Sequence, residues 1–304
     1  TPAGTGKANV AVVKVPDPRL DRLTELLSAA KATPAQVRLV DVPGLSAQSL
    51  GEAREADALA VVVRAFGSDA DPARDLAAFR AECAVADLST VERSIDRLRK
   101  KAKAGAAPDA KAELEVYERA EAVLGEDRWL VEERWAPDEA KMLRNMGPLT
   151  LKPVLHVANV DETWDGSELG LPRPAVAVRG LLEAEAAELD EAEAAALMEE
   201  FGVSESAMAR FVHALYELLD LISFFTGNEK EARAWEIPRG TKAPRAAGQV
   251  HTDFEKGFIR WEAVDFEDFM QLASWDAARS VGKLRVEGRD YEVRDGDVVR
   301  ILHS

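Results

Sequence analysis

Asp41 and Gly44 close the run Val37 to Leu45, VRLVDVPGL, in the pattern Asp-x-x-Gly. These residue types at this spacing suit a point where hydrated Mg²⁺ meets a terminal phosphate. The carboxylate holds the metal through water, and the glycine brings its own N–H to a phosphate oxygen with no Cβ in the way. A plain turn after a strand accounts for the same four letters. A second set lies far along the chain, in Ala158-Asn159-Val160-Asp161-Glu162. An Asn amide at a strand end can hold neighbouring loops or a base edge, and the Glu162 carboxylate can accept from a base N–H. An ordinary Asn/Asp turn is the alternative here.

Such residues need a sheet to carry them. Ala8 to Val15, Val37 to Asp41, Asp57 to Phe66, Pro153 to Val160 and Ala175 to Val178 are short apolar runs separated by helical stretches. That order predicts buried strands of a parallel sheet covered on both faces, with Asp41 and Asn159 on one rim. Asp17-Pro18 starts a helix whose face is Leu20, Leu23, Leu26 and Leu27. Leu88, Val91, Ile95, Leu98 and Ala102 recur at helical spacing, as do Leu114, Tyr117, Ala120 and Leu124, which predicts an antiparallel helical hairpin. Its first arm ends in Arg97, Arg99, Lys100, Lys101 and Lys103, either a partner-binding tip or a solvated helix end. Helices over 182–201 and 204–222 follow, and from Ser223 short strands and turns mark a separate α+β module.

A chain of 304 residues has room for two or three cores. The formal net charge of −16 excludes wholesale wrapping of nucleic acid while leaving local basic patches open. The longest apolar run stops at Arg64, short of a bilayer span, so no membrane partner is expected. A lone Cys83 excludes an internal disulfide framework and points to a reducing, cytoplasmic setting; on an amphipathic helix it reads as core. The chain starts at Thr1 without an initiator Met, as a fragment or a processed chain does.

Guanine-binding P-loop proteins read their base with Asn-x-x-Asp, and here the spacing is Asn-x-x-Glu. The phosphate cradle GxxxxGK[ST] is not in the sequence. Gly6-Lys7 has no strand before it, and Ala8 stands where a metal-binding hydroxyl is needed. With these residues the sequence resembles the YchF or Obg-like ATPase family of translation-factor P-loop NTPases, along nearly its whole length. The resemblance is carried by VKVPDPRLDRL at 13–23, ECAVADLSTVER at 82–93, PVLHVANVDE at 153–162 and HTDFEKGFIR at 251–260.

It implies an α/β protein. A partial, G-domain-like parallel sheet spans 1–82 and 146–221, a helical hairpin is inserted at 83–145, and a β-grasp (TGS) domain fills 222–304. It also implies nucleotide binding at Asp41, Gly44, Asn159, Val160, Glu162, Arg179 and Gly180. Arg179 and Gly180 replace the family's SA[KR] loop. Mg²⁺ with ATP, or GTP, is the implied cofactor, and a monomer bound to ribosome or RNA through the hairpin tip and TGS module is the implied assembly. Leu45 stands where classical GTPases keep a catalytic Gln, and Gly67 to Asp75 lacks the family's histidine, so hydrolysis is expected to be weak or absent. A non-catalytic ribosome- or RNA-binding scaffold with a relic nucleotide site is the alternative.

Overall fold

The computed structural model describes residues 9–42, 44, 46–103, 108–203 and 205–304, so the Gly6-Lys7 run, Pro43 and Leu45 lie outside the described residues. The chain divides into two compact units, one of residues 1–10 and 40–210, the other of residues 11–39 and 211–304. Elements follow in chain order: β1 (Asn9–Lys14), α1 (Pro18–Leu26), β2 (Ala32–Thr33), β3 (Gln36–Asp41), α2 (Ala47–Arg54), β4 (Leu59–Arg64), α3 (Pro72–Lys103), α4 (Pro108–Gly125), α5 (Pro137–Met146), β5 (Val154–Asn159), β6 (Ala175–Val178), α6 (Gly180–Ala186), α7 (Glu191–Glu200) and α8 (Ala207–Leu218). Then come β7 (Leu221–Gly227), β8 (Ala232–Pro238), α9 (Ala243–Val250), α10 (Thr252–Lys256), β9 (Phe258–Asp265), α11 (Phe266–Leu272), α12 (Trp275–Ser280), β10 (Arg285–Glu287) and β11 (Asp297–His303).

The first unit holds a three-stranded parallel sheet in the order β4-β5-β6. β5 has a strand on each side, and Leu155, His156, Val157 and Ala158 are all buried. Among the described residues β4 has a neighbouring strand on one side only. Leu59, Val61 and Val63 are buried while Val62 is exposed, so this strand is buried on one face and not on two as expected. β3 departs further from expectation. It pairs with β1 in a separate two-stranded sheet in which Val10 and Val12 are exposed, so Asp41 and Asn159 end strands of different sheets and not one continuous rim.

α3 is a single helix of 32 residues that begins ahead of the expected insertion. α4 runs antiparallel to it, because Arg99 late in α3 pairs with Glu118 at 2.8 Å while Trp129, beyond α4, donates from Nε1 to the Arg80 carbonyl at 3.1 Å. Val91, Ile95 and Leu98 interlock with Val116, Tyr117, Ala120, Val123 and Leu124, and Leu143 of α5 closes the cluster. Burying each Val, Ile or Leu stabilises the pair by about 1.5–3 kcal/mol, which is what holds two otherwise polar helices together.

The second unit is built on a six-stranded mixed sheet in the order β10-β9-β11-β7-β8-β2. β7 lies inside it, with Phe224 turned to one core and Phe225 to the other. α9 supplies Ala243, Ala246 and Ala247 to the first core, and α1 and α11 supply Leu20, Leu23 and Phe269 to the second. Asp17 caps α1 as expected, accepting from the Arg19 N–H. Residues 11–39, expected in the nucleotide-binding domain, nonetheless cluster with this unit. β2 pairs parallel with β8, and the end of α1 passes so close over Gly227 that a Cβ there would overlap Cδ1 of the capping residue Leu27. Among the described residues no helix is long and apolar enough to cross a membrane.

Candidate functional site

Asn159 is the last residue of β5, and the sheet fixes its backbone on both sides. The Ala65 N–H donates to its carbonyl at 2.8 Å, and the next N–H, that of buried Val160, donates to the Val178 carbonyl at 2.9 Å. Val160 therefore contributes structure, its N–H already taken. The Asn159 side chain is held as firmly, since Gly180 at the start of α6 donates its N–H to Oδ1 at 3.1 Å. A Cβ on residue 180 would lie 2.8 Å from that oxygen, so the contact requires glycine. With Oδ1 engaged, Nδ2 has no partner among the described residues and remains available as a donor.

Asp161 curls back to accept from the N–H and Oγ1 of Thr163, at 3.0 and 2.8 Å. That turn presents half-buried Glu162, whose carboxylate is also without a partner among the described residues. A donor from Asn159 and an acceptor from Glu162 thus stand close in sequence at the carboxyl end of the central strand. Arg179 serves the surrounding frame. Its guanidinium donates to the Trp164 carbonyl at 2.8 Å and the Phe201 carbonyl at 2.9 Å, tying the loop after β5 to the end of α7.

At the other set, Asp41 is exposed at the end of β3. Gly44 is exposed with φ +66°, a left-handed conformation that favours glycine, and apart from its chain neighbours no atom of the described residues stands within 4 Å of where its Cβ would be. Among the described residues no group of three or more His, Cys, Asp or Glu forms a protein cage for a metal. A single exposed carboxylate fits Mg²⁺, which keeps several waters and takes its remaining oxygens from phosphate.

The segment after Gly44 is anchored by a buried charge that the spacing argument missed. Ser46 caps α2, accepting from the Ser49 N–H at 3.2 Å. At the far end of α2, Arg54 donates to the Gly147 carbonyl at 2.9 Å and places Nη1 2.7 Å from Oδ1 of Asp87 on α3. Asp87 is fully buried. Its Oδ2 accepts from both the N–H and Oγ1 of Thr150 at 2.8 Å, whereas Oδ1 faces Arg54 without hydrogen-bond alignment and is held by charge. The signal was in the sequence: Ala84, Asp87, Leu88 and Val91 share one helical stripe, and a carboxylate on an apolar stripe must be paired. α2 is thereby tied to the first helix of the hairpin.

Cys83, one turn before Asp87, is buried, and burial pushes its thiol up to about 12, with Asp87 adding to the shift. The thiolate is the reactive form. Maleimide labelling of the native protein at pH 7.5 is therefore expected at least about a hundredfold slower than in urea; equal rates would contradict this placement.

His156 lies in β5 with Nδ1 3.2 Å from the Pro174 carbonyl, and burial lowers its pKa by disfavouring the charged form. The loop after β4 is closed by a two-pronged pair from Arg64 to Asp69, at 3.1 and 2.9 Å. At the hairpin tip Arg97, Arg99 and Lys100 are exposed, and the side chains of Lys101 and Lys103 lie outside the described residues.

Comparison with known proteins places these features in context. Residues 221–303 match a family model described as YchF-GTPase_C, protein of unknown function (DUF933). The ribosome-binding ATPase YchF of Escherichia coli O157:H7 is 40% identical, the match covering 100% of this chain and 91% of that protein. The protein of that name from Bacillus subtilis is 36% identical, over 96% of this chain and 88% of its own length. Among solved structures, the Schizosaccharomyces pombe YchF GTPase superposes with a TM-score of 0.83 at 28% identity, covering 99% of this chain and 89% of that one. A GTP-binding protein from Pyrococcus horikoshii shares the fold, with a TM-score of 0.56 at 18% identity over 98% and 92% of the two chains.

Proposed function

This chain belongs to the YchF family, and on that premise we propose that it binds ATP in preference to GTP and associates with ribosomes in the cytoplasm as a monomer, with weak or absent hydrolysis. The observation that carries the nucleotide half is the strand end at Asn159, with Oδ1 fixed by Gly180 and the Nδ2 donor and Glu162 acceptor both unspent. Adenine presents an N7 acceptor beside an N6 donor, so Asn159 donates to the first and Glu162 accepts from the second. Asp41 steadies Mg²⁺ through water, and the Gly44 N–H meets the terminal phosphate. Val160 and Arg179 support the base end as frame, with Gly180 as the contact that aims Asn159.

Weak turnover follows from the residues near the phosphate end. Leu45 can neither orient nor deprotonate water, and the Gly67 to Asp75 loop has no histidine. In this reading the C-terminal unit is a TGS domain of β-grasp type, and the α3–α4 pair is a coiled coil that presents its basic tip to ribosomal RNA. Nucleotide state reaches that tip mechanically, from Gly44 through α2 and the Arg54–Asp87 pair.

The exposed cations at the tip also favour a second reading, a non-catalytic scaffold that uses the hairpin whether or not nucleotide is bound. Ribosome co-sedimentation of the full-length protein with Mg²⁺ and ATP, and again without nucleotide, separates the two. Pelleting that rises with ATP and falls by more than half in Arg97→Glu/Arg99→Glu/Lys100→Glu is expected. Equal pelleting with and without nucleotide would favour the scaffold, and no pelleting at all would remove ribosome association.

A further inference from the structure

A base held at Asn159 sends its phosphates to one side or the other of β5. The β6 side is closed. There Gly180 opens α6 against the Asn159 amide, and Arg179 spends its two terminal nitrogens on the Trp164 and Phe201 carbonyls, with Nε buried. On the β4 side the register pairs Arg64 with Asn159. Because β4 and β5 run parallel, both residues end their strands on the same rim, with neighbouring backbones about 4.8 Å apart. Ligands of open parallel sheets bind outside those carboxyl ends.

The loop that follows Arg64 folds straight back on it. Gly67 adopts φ +83°, a conformation that favours glycine, and the Ala70 N–H donates to the Gly67 carbonyl at 3.3 Å. That turn brings both oxygens of Asp69 onto the guanidinium, at 3.1 Å from Nη1 and 2.9 Å from Nη2. The guanidinium carbon also lies 5.9 Å from the centre of the Phe66 ring. Asp69 takes one N–H from each terminal nitrogen, and a guanidinium has five. The Nε–H and one N–H on each terminal nitrogen therefore have no partner among the described residues. The side chain is 42% exposed, so those donors can be reached while Asp69 fixes their direction.

The surroundings say which acceptor those donors meet. The loop carries Asp69, Asp71 and Asp75, so an anion arriving here is repelled unless a cation stands in front of them. Arg74 turns to Asp75 at 3.5 Å, whereas Arg64 stands at the strand end itself. Its planar fork matches two oxygens of one phosphate, where an ammonium would offer only a point charge. One strand away from the base, the phosphate within reach is the one joined to the ribose. We propose that Arg64, oriented by Asp69, binds the ribose-linked phosphate of the nucleotide and so sets the side of β5 on which the phosphates leave the base. The proposal rests on the nucleotide reading and adds to it a contact from β4.

Calorimetric titration of the full-length protein with ATP, ADP and GTP in excess Mg²⁺ tests it. Arg64→Gln removes a charge-assisted contact to a phosphate that ATP and ADP share, so both should bind more weakly by the same factor, at least about tenfold. The ratio of ATP to GTP affinity should stay as in the wild type, because the base end is untouched. Asp69→Asn keeps the guanidinium and gives up only an exposed pair, so its affinity should remain within about threefold of wild type. A pair that merely pins the loop needs both partners, so equal losses in Arg64→Gln and Asp69→Asn overturn the contact. Affinity of Arg64→Gln within about twofold of wild type also overturns it. A loss seen with ATP and not with ADP moves the contact to the terminal phosphate, and a collapsed ATP-to-GTP ratio makes Arg64 a support of Asn159; either result overturns the assignment while the nucleotide reading survives. A wild type that binds neither ATP nor ADP removes that reading and this contact together.

Discussion

Replacing Asp87 by alanine is expected to lower the unfolding free energy by about 3–5 kcal/mol, the cost of breaking a buried ion pair from one side. The carboxylate is fully buried, takes two hydrogen bonds from Thr150 and faces Arg54 at 2.7 Å. Its loss strands the Thr150 N–H and hydroxyl and leaves the Arg54 charge facing only the Gly147 carbonyl. Asp87→Asn keeps an acceptor for Thr150 and should cost less. Part of the penalty is the Arg54 charge left unpaired, so Arg54→Met/Asp87→Leu should recover that part while the two Thr150 donors stay stranded. Urea unfolding followed by circular dichroism measures this, and a loss below about 1 kcal/mol for Asp87→Ala would remove the buried pair as the anchor of α2.

Gly180→Ala is the second large effect, and it acts on binding. The added Cβ would sit 2.8 Å from Asn159 Oδ1, so the amide must turn away and lose the Gly180 N–H. A good two-point contact to a base is worth about 1–3 kcal/mol, so affinity for ATP should fall about 5- to 150-fold while stability drops by roughly the 1 kcal/mol of one hydrogen bond. Wild-type affinity in Gly180→Ala would mean that Asn159 does not touch the base.

Where local pattern decides the structure, it could be read directly. Asp17-Pro18 starts α1, and Val91, Ile95 and Leu98 meet Tyr117, Ala120 and Leu124, because caps and helical stripes are properties of a few neighbouring residues. The central strand was legible for the same reason, its apolar run being needed on both faces. Pairing was not. Ala60 and Val62 are as apolar as Val61 and Val63, so nothing in the letters says that one face of β4 is open. The union of residues 11–39 with the C-terminal unit rests on a two-residue strand, Ala32–Thr33, and on Leu27 reaching Gly227, contacts about two hundred positions apart. In the candidate site, Asn159 and Glu162 are visible as types and spacing, whereas the grip of Gly180 on Asn159 spans 21 positions and shows only in three dimensions. Asp87 was readable in principle, as a charge on an apolar stripe.

The central claim is that an adenine base is recognised at the end of β5. Isothermal titration calorimetry of the full-length protein with ATP and with GTP, both in excess Mg²⁺, tests it most directly. ATP should bind more tightly than GTP, and Asn159→Ala should erase that difference; binding of neither nucleotide, or a preference that survives Asn159→Ala, would contradict it.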